Sequence, residues 1–258
     1  GNAELIYIEG GSFGYAEPNR RDPEAPWHFR VVTPDLGYQR FTHGLGIGDV
    51  NNDGRIDILE KNGWWEHPID EAELWEFHPV AFSEPGGSQM YAYDFDGDGD
   101  NDVLTAKAAH GYGLAWFENK GGSSEIEFEE HLILGERADQ NEHGVVFSQL
   151  HAIALVDMDN DGILDVLTGK RFWAHRGLDV GGRDTPVLYW FGVKRDGGKV
   201  RFEPHLIDDD SGVGTQIEAV DLNGDERLDV VVGNKRGGFL FLQNAGDVQD
   251  SPADASAK

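Results

Sequence analysis

Four nine-residue segments of the chain superimpose without gaps, beginning at residues 49, 94, 157 and 221. Their first, third, fifth and ninth positions are Asp or Asn throughout: Asp49, Asn51, Asp53 and Asp57; Asp94, Asp96, Asp98 and Asp102; Asp157, Asp159, Asp161 and Asp165; Asp221, Asn223, Asp225 and Asp229. Side-chain oxygens at alternate positions of a tight loop, a backbone carbonyl at position seven and a closing carboxylate make a cage for a hard cation. The expected occupants are about four structural Ca2+ ions, one per loop. Glycine at the sixth position permits the sharp turn in the first three loops, whereas the fourth has Glu226 there. The first loop also places Glu60 at a twelfth position, as an EF-hand would, but Thr105, Thr168 and Val232 stand there in the others. Residues 42–48 and 62–68 are moreover too rich in Gly and Pro for flanking helices.

A second set of groups recurs at equivalent places. His43, Gln89, His151 and Gln216 stand five or six residues before the loops, and Lys61, Lys107 with His110, Lys170 with His175, and Asn234 with Lys235 stand beyond the following strand. Repetition gathers them around one funnel. A ligand is expected to meet His43, Gln89, Tyr91, His110, His151, His175 and Gln216 there, with Tyr112 and Trp173 at the rim as stacking surfaces. For catalysis the candidates are His43 or His151 as a base and Lys107 or Lys170 as the cation stabilising an enolate. Spacing leaves open whether the funnel histidines hold a metal.

The elements that position these groups are short strands. After each loop come β-branched or Leu runs such as Val103-Leu104 and Val166-Leu167, then aromatic strands such as Trp64-Trp65, Trp116-Phe117 and Tyr189-Trp190-Phe191. A fourth strand pairs an aromatic with a basic residue: Trp27 with Arg30, Trp75 with His78, Phe128 with His131, Phe202 with His205. With the strand leading into each loop, every repeat has four strands. The expectation is an all-β fold, a β-propeller of four-stranded blades with calcium loops between strands one and two. Strand one is placed innermost, where Gly44, Gly46, Gly48, Ala92, Ala152, Ala154 and Ala219 suit the crowding. Trp64, Trp65, Trp116 and Trp190 are assigned to packing between blades.

Composition narrows the function classes. The 258 residues carry 48 acidic against 21 basic side chains, a formal charge of −27, so a nucleic-acid phosphate backbone is not an expected partner. The 28 aromatic residues (7 Trp, 7 Tyr and 14 Phe) supply too much buriable surface for a disordered acidic chain. No cysteine is present, which excludes disulfides and thiolate chemistry. No stretch reaches the roughly 18 apolar residues of a membrane span, and no nucleophile elbow, phosphate loop or dinucleotide fingerprint occurs.

The Asp-x-Asp/Asn-x-Asp-Gly-x-x-Asp-Ile/Val-Leu repeats resemble the FG-GAP and VCBS repeats of integrin-α-like β-propellers, and residues 63–66 and 113–119 look like bacterial VCBS-repeat proteins. The resemblance implies calcium in the loops. Set under the first loop, residues 1–6 read as half of a fifth, with Glu4 in the closing position. Residues 1–244 are therefore expected to form five represented blades, the first and last incomplete, of a longer parent of about seven. Residues 245–258 are expected to be a disordered tail. The functional expectation is an exported, extracytoplasmic recognition module for a glycan or protein ligand. The alternative is a glycan-active lyase or dehydratase using funnel His and Lys.

Overall fold

The computed structural model describes residues 4–70, 73–122 and 126–244. The first three residues, most of the proposed fifth half-loop, and the expected tail at 245–258 lie outside the described residues.

The fold is all-β, with two single 3-10 turns, Ala138–Gln140 and Ala174–Gly177, as its helical pieces among the described residues. Three strands open the chain, β1 (Leu5–Glu9), β2 (Ser12–Glu17) and β3 (His28–Val31), and form an antiparallel sheet. Next come β4 (Leu45–Gly48), β5 (Asp57–Glu60), β6 (Gly63–Glu66) and β7 (Glu76–Pro79), then β8 (Gln89–Tyr93), β9 (Asp102–Ala106), β10 (Leu114–Asn119) and β11 (Phe128–Leu134). Each of these groups is an antiparallel meander of four. A parallel pairing of β4 with β8, Leu45 opposite Gln89, joins them edge to edge into one eight-stranded sheet. A further meander holds β12 (Ile153–Val156), β13 (Asp165–Gly169), β14 (Leu188–Asp196) and β15 (Lys199–Asp208). The last is β16 (Ile217–Val220), β17 (Asp229–Asn234) and β18 (Gly237–Phe241).

Each hydrophobic core lies between successive meanders. Phe13, Val32, Ile58 and Trp65 join the first and second, and Leu59, Trp64, Met90 and Phe117 the second and third. Leu104, Trp116, Leu150 and Phe191 join the third and fourth, and Leu167, Leu188, Val230 and Val232 the fourth and fifth. Removing these apolar faces from water is what orders the sheets side by side. The leading strands crowd one another, since a Cβ on Gly46 would strike the Met90 carbonyl and one on Gly48 the Ala92 methyl. The aromatic strands also pack within their own meander. Trp64 stacks on His78 at 4.2 Å, Trp116 on His131 at 4.6 Å and Trp190 on His205 at 4.1 Å. These histidines are structural partners of the tryptophans, two of them further held by carboxylates (His78 to Glu66, 2.8 Å; His131 to Glu118, 2.7 Å).

The four acidic loops share one backbone design, flanked by strands on both sides. The first Asp accepts amides from the turn: Asp49 from Asp53 (3.0 Å) and Gly54 (2.8 Å), Asp157 from Asp161 (3.0 Å) and Gly162 (2.9 Å). The sixth residue is left-handed in all four, with φ of 86° at Gly54, 103° at Gly99, 88° at Gly162 and 68° at Glu226. The ninth residue, expected only as a cation ligand, has another task. Asp57 accepts the amides of Val50 (2.8 Å) and His67 (2.9 Å), and Asp102 those of Phe95 (2.9 Å) and Asn119 (2.8 Å). Asp165 takes Met158 and Val193 (both 2.9 Å), and Asp229 takes Leu222 (3.0 Å) and Gln243 (2.9 Å). One oxygen holds the loop and the other holds the third strand or the residue beyond it, so this buried carboxylate is first a clasp. A carboxylate oxygen has a second lone pair, which leaves the clasp able to face a cation as well.

Candidate functional site

The loops and the funnel groups occupy opposite ends of the leading strands. His43 precedes β4 and Asp49 follows it, six residues on, about 20 Å of extended chain.

At the loop end the residues present fit a hard cation. In the second loop oxygens of Asp94, Asp96 and Asp102 lie within 4.8 Å of one another. Burial, opposed by the amide bonds and reinforced by neighbouring loop carboxylates, pushes Asp102 up to about 7 and Asp57 and Asp165 up to about 6. The chain's own cations also reach these loops. Lys194 bonds Asp159 (2.7 Å) and Asp161 (2.6 Å), and Arg55 pairs with Asp53.

At the other end, three histidines from distant parts of the chain meet. His43 Nε2 lies 3.0 Å from His110 Nε2 and 3.2 Å from His151 Nε2. His43 comes from the approach to β4, His110 from the β9–β10 connection and His151 from the approach to β12. His43 Nδ1 is 2.7 Å from the Phe41 carbonyl, and Gly86 sits so close behind the ring that a Cβ there would come within 2.7 Å of the His43 Cβ. His110 Nδ1 is 2.9 Å from Asp179 Oδ2, and that carboxylate also bonds His175 Nδ1 at 2.9 Å. The Arg171 guanidinium completes the group, 2.9 Å from His110 Nδ1 and 3.4 Å from Asp179. Burial first, then the Arg171 charge and His43, holds His151 down to about 3, and burial lowers His110 as well. In both rings the shift favours the neutral form.

One residue ties these segments together. Gln149, fully buried and left-handed at φ 60°, offers its carbonyl to the amides of His151 (2.8 Å) and Arg171 (3.0 Å), while its own amide donates to Gly111 (2.6 Å), next to His110. Its side chain and that of Ser148 hold Val180 (3.1 and 2.9 Å), which fixes the neighbouring Asp179. Further left-handed residues, Trp173, His175 and Arg176, shape the turn that presents His175. Such conformations persist only where surrounding contacts hold them, and they concentrate at functional sites.

Several expected funnel residues stand elsewhere. Lys107 turns outward to Glu130 (2.8 Å) and over the Phe117 ring, drawn by the outer strand's carboxylate. Lys170 is 1% exposed and outside the cleft lining; the cation at the cleft is its neighbour Arg171. Tyr91 spends its hydroxyl on the Ile153 carbonyl (2.7 Å), a tie between β8 and β12, and burial pushes it up to about 12. Gln89 bonds Gln216 (2.6 Å) and the Ile153 amide (3.0 Å), so this pair links leading strands, with Gln89 also lining the cleft. Arg171, Asp179 and Gln149 were not singled out by spacing. The available signal was the long segment 171–184 in the same connection that elsewhere carries His110.

The resulting cleft has a volume of ≈ 530 Å³. Its walls include Arg40, Phe41, His43, His110, His151 and Arg171. Phe41 is 63% exposed, and Trp173, at the nearby turn, is 43% exposed. No helix among the described residues is long and apolar enough to cross a membrane.

A search of curated proteins gave no match. Residues 94–168, from the second acidic loop through the third and its following strand, match the FG-GAP-like repeat. The all-β, propeller-like sheets and this match together establish an FG-GAP/VCBS-like repeat at the centre of the chain.

Proposed function

We propose that the chain is an exported, calcium-stabilised β-propeller module whose blades are the meanders described above. In this reading the acidic loops are structural and the opposite, histidine-bearing face binds an anionic glycan. One observation carries the ligand assignment. In a chain of formal charge −27, the described residues lining the cleft include Arg40, Arg171 and four histidines but no Asp or Glu. Walls free of carboxylates in so acidic a molecule, with Asp179 set behind them against His110, His175 and Arg171, suit a carboxylated or sulfated ligand, and Phe41 and Trp173 offer faces for sugar rings.

The test is a binding series of acidic and neutral oligosaccharides. Acidic oligomers are expected to bind, and Arg171→Ala is expected to weaken them about 10- to 100-fold, the loss of one charge-assisted hydrogen bond of ~1.5–3 kcal/mol. Equal affinity for neutral oligomers, or unchanged affinity in Arg171→Ala, would contradict the assignment.

The convergence of His43, His110 and His151 beside Arg171 favours a second reading, a glycan lyase or dehydratase. An imidazole would take the proton α to a uronate carboxylate while Arg171 stabilises the charge that develops on it, and the β C–O bond would then break, its oxygen leaving with the electron pair and taking a proton from the imidazolium or water. An unsaturated uronide product separates this from binding alone.

The fourth loop supplies a stability prediction. Glu226 is held at φ 68°, which costs a non-glycine residue about 1 kcal/mol. Glu226→Gly is therefore expected to stabilise the chain by up to about 1 kcal/mol, read by denaturant unfolding.

A further inference from the structure

We propose that His43, His110 and His151 together bind one Zn2+ ion through their Nε2 atoms. The inference concerns the same cleft as the proposed function and stands on geometry alone, independent of what ligand the cleft takes.

The first argument is where the lone pairs point. The Phe41 carbonyl can only accept, so the 2.7 Å contact assigns the His43 proton to Nδ1 and leaves a lone pair on Nε2. His110 Nδ1 stands 2.9 Å from both Asp179 Oδ2, which can only accept, and the Arg171 guanidinium, which can only donate, so these contacts allow either tautomer, and a zinc site takes the one with the proton on Nδ1 toward Asp179 and the lone pair on Nε2. Arg171, 3.4 Å from that carboxylate, then balances its charge. In that form the Nε2 atoms of His43 and His110 face each other at 3.0 Å with no proton between them, and His151 Nε2 comes within 3.2 Å of the first. Nitrogen lone pairs so arranged repel unless a cation sits among them.

The second argument is spacing. Nitrogens bound to one tetrahedral ion at ~2.0–2.1 Å lie about 3.3–3.4 Å apart. The two Nε2 separations of 3.0 and 3.2 Å approach that edge length, and all three ligand atoms fall within 4.8 Å of one another. The third argument is the outer shell. Ligating histidines donate their other nitrogen to a carboxylate or a backbone carbonyl, and here Asp179 and Phe41 do so for two of the three. A set of three imidazole nitrogens suits zinc and not Ca2+, which takes six to eight oxygens. The fourth position of the ion would face the cleft, where a water or an acidic ligand's oxygen can enter.

The test uses the full chain, stripped with a chelator and returned to excess Ca2+, then titrated with Zn2+ alone. One equivalent is expected to bind and to resist competition by millimolar Ca2+. His43→Ala and His110→Ala are each expected to weaken it more than ~100-fold, and Asp179→Asn ~10- to 100-fold with stoichiometry kept. His28→Ala, an exposed histidine on β3, is expected to bind like the parent. Because an alanine variant could fold poorly, Co2+ is also added to the unaltered chain, where the intense visible absorption of a tetrahedral nitrogen site is expected. Weak octahedral absorption, Zn2+ displaced by Ca2+, or Zn2+ affinity unchanged in folded His43→Ala and His110→Ala would each overturn the proposal. Acidic-oligosaccharide binding measured on the zinc-free protein reports separately on the function proposed above, so the two can fail independently.

Discussion

On the proposed reading, removing calcium is expected to lower the melting temperature of the chain by upward of ~20 °C. The magnitude follows from linkage. A site at one hundred times its Kd contributes about 2.7 kcal/mol, and for a chain of this size each kcal/mol moves the midpoint ~2–4 °C. Four such loops therefore shift it by tens of degrees. The physical source is the crowding of carboxylates at one end of the sheets, where burial already pushes Asp57, Asp102 and Asp165 upward. Without a cation these groups repel or take up protons, and either weakens the loops that turn strand one into strand two. Thermal unfolding with and without a chelator checks this, and an unchanged midpoint would remove calcium from the account.

The second large effect needs no cation. Asp165→Ala is expected to destabilise the chain by about 3–5 kcal/mol, measured by denaturant unfolding, and to do so in chelator as well as in calcium. Asp165 is fully buried and takes the amides of Met158 and Val193 on its two oxygens. Alanine leaves both donors unpaired, at roughly 1–3 kcal/mol each, and opens a small void besides. A loss seen only in calcium would mean that Asp165 acts solely as an ion ligand. Equal losses in both conditions are the mark of the clasp that joins loop to third strand.

The strands and loops were legible in the sequence because their cause is local. Alternation of apolar and polar residues, a left-handed turn at the sixth loop position and aromatic runs such as Trp64-Trp65 each act over a few residues. The clasp made by Asp57, Asp102, Asp165 and Asp229 was hidden, because a ninth-position carboxylate reads the same whether it faces an ion or two amides. In the cleft, His43, His110, His151 and His175 were legible through their equivalent positions in successive repeats. Arg171 and Asp179 were not, because the segment that carries them follows no period and is shaped by left-handed residues at Trp173, His175 and Arg176. Gln149 was missed for the same reason: its role rests on a backbone carbonyl. Lys107 and Tyr91 were misassigned because a side chain at a strand end goes to its strongest partner, here Glu130 and the Ile153 carbonyl.

The central claim is that the acidic loops support the fold and the histidine cleft works on a ligand. Its most direct test is the binding isotherm of an acidic oligosaccharide to His43→Ala, recorded beside the calcium-dependent melting of the same variant. The account predicts that binding is lost while the calcium-induced rise in melting temperature stays within a degree or two of the parent's, since cleft and loops lie at opposite ends of the leading strands. Binding at the parent's affinity would contradict it.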